Sequence, residues 1–184
     1  MANNINKTDL SGMLGERISL QKVSNRVVVT NRPKRKFGPP TEKQQSVQDR
    51  FQGAAYYAKL QLADPDGQAY YRLAATEKAR SAYNAAVADY LVKPEVQSID
   101  TSAYTGQAGD TIEAFAKGYL KAEAVKVIIK DRKGNLIEKG DAVMGNLHIW
   151  KYTATVANPN LPGTTIQVIV FNRPGSKGTK EVTL

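Results

Sequence analysis

A change of apolar period at "VKPEVQSID", residues 92–100, constrains this chain more than any other feature. Upstream of it apolar residues recur with the 3.6-residue period of a helix; downstream they alternate every second position, as on a half-buried strand. A segment patterned for one period buries the wrong side chains if it adopts the other. The expected fold class is therefore α+β, an N-terminal β-hairpin and three-helix module followed by an antiparallel β-sandwich.

Seven short strands are predicted downstream, at residues 96–100, 111–116, 125–131, 136–139, 147–156, 165–172 and 180–184. In the third, Val125, Val127 and Ile129 face a core while Lys126, Ile128 and Lys130 face out. "DRKGN" and "NRPGSKGTK" supply hairpin turns. Seven such strands over about 90 residues suit an immunoglobulin-like β-sandwich, with Trp150 as a core aromatic in place of the usual Cys–Trp–Cys set.

Upstream, Thr41 and Gln44 in "PTEKQ" form a capping pattern that starts a helix. Val47, Phe51, Ala54, Ala55, Ala58 and Leu62 then lie along one helical stripe. "ADPDG" ends it, with Asp64 placed to cap a second helix that opens at Pro65 and covers "GQAYYRLAA". A third helix is expected over "TEKARSAYNAAVADYL", capped by Thr76, with Ala79, Tyr83, Ala86, Val87, Tyr90 and Leu91 on one face. Six of the nine tyrosines, Tyr56, Tyr57, Tyr70, Tyr71, Tyr83 and Tyr90, fall in these helices. Alanines allow close approach between helices, and the tyrosines fill the gaps with hydroxyls reaching water.

Ahead of the helices, "LSGMLG" reads as a flexible lead-in and "ERISLQKVSNRVVVTN" as a β-hairpin. Two strands alone are marginal in water, so the hairpin needs another surface. The expected divisions are 1–40 for the hairpin and its basic extended arm, 41–93 for the helical module and 94–184 for the sandwich. The net charge of +9 is concentrated at this end: residues 1–50 carry 10 Lys and Arg against 4 Asp and Glu. Arg32, Lys34, Arg35 and Lys36 sit among Pro33, Pro39 and Pro40, which hold the segment extended. These four cations are the candidate contacts for nucleic acid or another acidic partner.

The residues for chemistry are scarce. Zero cysteines remove disulfides, thiolate nucleophiles and thiolate metal sites together. The one histidine, His148, reads as an ordinary strand residue. "PGSKGTK" has Lys-Gly-Thr where a phosphate loop needs Gly-Lys-Ser/Thr before a helix, and "DPDG" lacks the calcium-loop spacing. Asp110 and Glu113, three apart on a strand, point to opposite faces. No catalytic residue, metal site or cofactor is expected. No run approaches 18 apolar residues and no secretory leader is recognisable, so no membrane insertion is expected and the location is cytoplasmic or particle-associated.

"LSGMLG", "VVVTNRPKRKFGPPTEKQQSVQDRFQGAAYYAK" and "SAYNAAVADYLVKPEVQSID" together resemble a group of uncharacterised bacterial and phage-associated proteins. The shared pattern falls on Gly12 and Gly15, Val27 to Val29, Arg32 and Pro33, Pro40 to Gln44, Phe51, Ala55, Tyr57 to Lys59, and Tyr83 to Pro94. The resemblance implies a virion or assembly role and brings no catalytic residue with it. Lys34, Arg35 and Lys36 are more basic than the pattern requires, so a nucleic-acid role does not come from the group. The leading expectation is a non-enzymatic structural, assembly or adaptor protein of a phage-like or other multi-subunit particle, its partners being protein subunits, itself or a neighbour. The alternative is an architectural nucleic-acid-binding protein using Arg32 to Lys36.

Overall fold

Three strands, one more than the expected hairpin, form an antiparallel sheet in the computed structural model, which describes residues 12–14, 18–23, 26–31, 38–77, 81–146 and 148–184. They are β1 (Gly12–Leu14), β2 (Ile18–Val23) and β3 (Arg26–Asn31), in that spatial order. The expected lead-in at Gly12 is thus a strand: its backbone pairs with β2, Gly12 opposite Leu20 and Leu14 opposite Ile18. It satisfies an edge of β2 that would otherwise hold unpaired amides. This sheet lies in the first of two compact units, Met1–Thr41; the second is Glu42–Leu184. At Ile18, Leu20, 26–31 and 38–41, the positions of the first unit whose side chains are described, none is buried.

The second unit begins with α1 (Glu42–Ala63), which starts directly after Thr41 and stops ahead of Pro65. In α2 (Pro65–Glu77) the proline occupies the first turn, where its missing N–H costs nothing. The Asp64 carboxylate accepts the Gly67 N–H at 2.9 Å, the capping role expected of it. Thr76 falls within α2, so it does not cap the third helix. That helix, α3 (Ala82–Leu91), is capped by Ser81, whose extended backbone lets its hydroxyl accept the Asn84 N–H at 3.2 Å. Its buried face is Ala85, Ala86 and Asp89. Tyr83, Val87 and Tyr90 lie only partly buried, and Ala79 is outside the described residues.

All seven predicted strands form: β4 (Glu95–Asp100), β5 (Thr111–Lys117), β6 (Ala124–Lys130), β7 (Leu136–Met144), β8 (Ile149–Thr153), β9 (Thr165–Phe171) and β10 (Lys177–Thr183). They make one antiparallel sheet of order β10-β9-β6-β7-β8-β5-β4. Its strand β7 pairs with β6 as far as Ala142 and then, through Val143 and Met144, with β8. The sheet curls until its end strands lie side by side, nearly closing a barrel. At that seam Lys180 Nζ donates to the Gln97 carbonyl, and Gly178 sits where any Cβ would collide with the Pro94 carbonyl oxygen. The fold is accordingly mixed, three helices and a curled antiparallel sheet.

Alternation buries Ile112, Ala114 and Ala116 of β5, Val125, Val127 and Ile129 of β6, and Ile166, Val168 and Val170 of β9. Trp150 and Tyr152 of β8 join them, as expected of Trp150. Each large aliphatic side chain removed from water contributes about 1.5–3 kcal/mol. A second cluster, Ala58, Tyr71, Ala85 and Ala86, holds the helices together, and Leu120 from the β5–β6 connection packs against it. Among the described residues no helix is long and apolar enough to cross a membrane.

Candidate assembly surface

The stripe on α1 divides in two. Its second half is core, with Ala54 and Ala58 fully buried against the other helices. The first half is not: Val47 is 64% and Phe51 53% exposed. Together with Arg50 and with Leu91 at the end of α3 they line a shallow groove of about 230 Å³. Gly53 makes this geometry, because the space its side chain would need is taken by the Tyr90 hydroxyl, 2.9 Å from an ideal Cβ. The C-terminal end of α3 therefore lies tight against α1. The Arg50 guanidinium donates to the Leu91 carbonyl at 3.3 Å, a cation on a carbonyl that the end of the helix leaves unpaired.

Behind the groove lies a polar chain that spans all three helices. Tyr71 of α2 donates to the Asp89 carboxylate at 2.9 Å and accepts from the Tyr57 hydroxyl of α1 at 2.8 Å. Asp89 is 1% exposed, and its other oxygen has no hydrogen-bond partner among the described residues. Burial pushes its carboxyl above the usual range, Glu123 adds to the rise, and the Tyr71 bond and Arg173 oppose it. Burial likewise raises the Tyr71 hydroxyl and takes that of Tyr70 up to about 12, so both remain protonated. The inward hydroxyl of Tyr71 differs from the solvent-facing one expected of it.

The same cluster joins helices to sheet. Asn172, just after β9, donates its side-chain amide to the Asp89 carbonyl at 2.9 Å. Neighbouring Arg173 donates to Gln61 of α1 at 3.2 Å and places its guanidinium 4.7 Å from the centre of the Tyr70 ring. A guanidinium over an aromatic face contributes about 0.5–2 kcal/mol. Sequence reasoning missed Asp89. The signal was available, since Ala82, Ala85, Ala86 and Asp89 follow the spacing of a buried helical face.

The candidate cations Arg32, Lys34, Arg35 and Lys36 lie outside the described residues. Asp110 is spent on the turn before β5, accepting from the Thr105 and Gln107 amides and from the Thr105 hydroxyl. These bonds hold its carboxyl below the usual range. Glu113 instead faces Lys151 across the β5–β8 pair at 3.8 Å. The two carboxylates do not converge. His148 is not in a strand: it takes a left-handed φ of 64° in the turn before β8 and is exposed. "PGSKGTK" runs from the β9–β10 hairpin turn, with Gly175 at a φ of 84°, into β10. An open cleft of about 760 Å³ lies between the β6–β7 turn and residues 157–160. Its carboxylate, Asp131, already accepts from the Lys133 and Asn135 amides and the Asn135 side chain. Among the described residues no cluster of three His, Asp or Glu could hold a metal ion.

No protein-family model matches the sequence, and no curated protein does. Among solved structures, an engineered protein is 17% identical over 41% of this chain and 16% of its own, with a TM-score of 0.33. The catalytic module of a pneumococcal glycogen-degrading virulence factor is 18% identical over 43% of this chain and 13% of its own, at 0.28. A conjugative transposon lipoprotein from Bacteroides eggerthii is 13% identical over 50% of this chain and 93% of its own, at 0.27. The chain thus spans less than a fifth of the first two. Likenesses this slight carry nothing about fold or activity.

Proposed function

We propose that this chain is a non-enzymatic structural or adaptor subunit that assembles with protein partners, as its resemblance to phage-associated proteins implies. The observation that carries the reading is the unfinished stripe on α1. Val47 and Phe51 continue the apolar row that Ala54 and Ala58 bury, yet among the described residues nothing covers them. An apolar row that runs past the edge of its own core, rimmed by an arginine, has the chemistry of an interface anchor. In the same reading, residues 94–184 are an immunoglobulin-like sandwich, β4, β5 and β8 forming one layer and β10, β9, β6 and β7 the other. The switch of β7 between β6 and β8 supports that division.

Val47→Asp with Phe51→Asp tests the reading. Native-mass measurements and gradient sedimentation of the chain expressed in its own cell are expected to show a large assembly that the double variant leaves, while its circular dichroism is unchanged. A wild-type chain that sediments as a lone monomer and brings down no partner would end this proposal.

The charge of residues 1–50 favours nucleic acid as a second class of partner, held by Arg32, Lys34, Arg35 and Lys36. That reading expects affinity to fall with salt by about 0.9 log units per tenfold for each phosphate contact on duplex DNA. Replacing Lys34, Arg35 and Lys36 by alanine should flatten the slope. No retardation of DNA or RNA at low salt would sink it.

A further inference from the structure

The first unit poses a physical problem. Every side chain of its strand β3 is exposed, and a three-stranded sheet needs an apolar face covered to be stable. β3 carries three uncovered apolar residues in a row: Val27 is 43%, Val28 39% and Val29 63% exposed. Because Val27 and Val29 point to one face and Val28 to the other, both faces of the strand are apolar and open. Among the described residues β3 pairs only with β2 and is an edge of its sheet. Natural edge strands are usually blunted by an inward charge, a proline or a bulge. Between Val27 and Val29 there is none of these, and the register with β2 runs without a break from Val23–Arg26 to Ile18–Asn31.

The geometry points to β3 as the pairing strand of a homodimer: β3 of a second copy of this chain docks antiparallel along it, with the two-fold axis through Val28, to give one six-stranded sheet. It rests on the assembly reading and names a partner for a different surface from the α1 groove. A second copy fits because the strand is complementary to itself about Val28. In that register Val28 faces its own copy, Val27 faces Val29, and Arg26 faces Thr30, so no cation meets a cation. The valines of the two copies then form adjacent cross-strand pairs on both faces, the units by which β-branched residues stabilise a sheet. Symmetric pairing of one patch with itself is also the commonest way for identical chains to associate.

Charge is the obvious objection, since a basic stretch follows β3 in the sequence. The antiparallel register answers it. Asn31 of one copy and Asn31 of the other lie six positions apart along the pair, about 20 Å. The two Asn31 residues are thus more than two Debye lengths apart, at about 8 Å each in physiological salt.

The test uses the full chain and charge exchange across the axis. Analytical ultracentrifugation of the wild type is expected to show a dimer. Val28→Lys sets two lysines directly opposite each other and is expected to weaken dimerisation by roughly tenfold or more. Val28→Asp should do the same. Mixing the two variants should restore a one-to-one dimer, an outcome that misfolding of either variant could not produce. A wild type that stays monomeric even at high concentration overturns the inference, as do dimers that persist in both variants or a mixture that fails to re-form them. Assemblies disrupted by Val47→Asp with Phe51→Asp but untouched by Val28→Lys would leave the assembly reading standing and remove β3 as a contact.

Discussion

Asp89 is the residue on which packing and ionisation meet. Its carboxyl is raised chiefly by burial, so in the folded chain it holds its proton to higher pH than in the unfolded one. A group of this kind supports folding fully below its unfolded pKa, and that support is lost as pH rises through the folded value. Asp89→Asn keeps an acceptor for Tyr71 and cannot ionise. The stability of the wild type relative to Asp89→Asn is therefore expected to fall from about pH 4 towards neutrality. Thermal melts of both proteins across that range check it; a difference that stays constant would remove Asp89 as the cause. Tyr71→Phe takes away the hydrogen bond that lowers this carboxyl and deprives Tyr57 of its acceptor. Its cost, about 1–3 kcal/mol at neutral pH, should shrink in acid, where Asp89 is neutral.

At the level of elements, the seam between β4 and β10 depends on one missing side chain. Gly178→Ala drives a methyl group into the Pro94 carbonyl, and backbone cannot turn aside as a flexible side chain can. Overpacking of this kind costs about 1–3 kcal/mol, read as a lower denaturant midpoint in the fluorescence of the single Trp150. An unchanged midpoint would mean that the seam is loose. This contact was invisible in the sequence, because strand alternation says which face of β10 is apolar and not which strand lies beside it. The strands themselves were legible, since Val125, Val127 and Ile129 could be sorted inward by period alone. Period served α1 less well: it places Val47 and Ala54 on one stripe but is silent on how far a neighbour extends along it. Asp89 was missed for another reason. A carboxylate in a helical pattern is normally solvated, and only the tertiary arrangement supplies the tyrosine that makes its burial tolerable. The β3 edge fell between these cases, the valines being plain and their exposure not.

Over the second unit, helices and sheet have separate apolar clusters, and what makes them one body is largely polar. Asn172 ties the sheet to the backbone of α3, while Arg173 reaches α1 and α2 through Gln61 and Tyr70. Two clusters joined this way should unfold together only while the joint holds, because the three-helix layer is too small to be robust alone. In wild type, far-ultraviolet circular dichroism at helical wavelengths and Trp150 fluorescence are expected to report one coincident denaturant transition. Asn172→Ala removes the amide that bridges to the Asp89 carbonyl, and Arg173→Ala in the same chain removes the second anchor. In that double variant the helical signal should be lost first, at lower denaturant, with Trp150 following close to its original midpoint. Transitions that still coincide in the double variant would assign the coupling to the apolar contact of Leu120 with the helices. If the two signals already separate in wild type, the helices and the sheet are independent folding units whatever their hydrogen bonds.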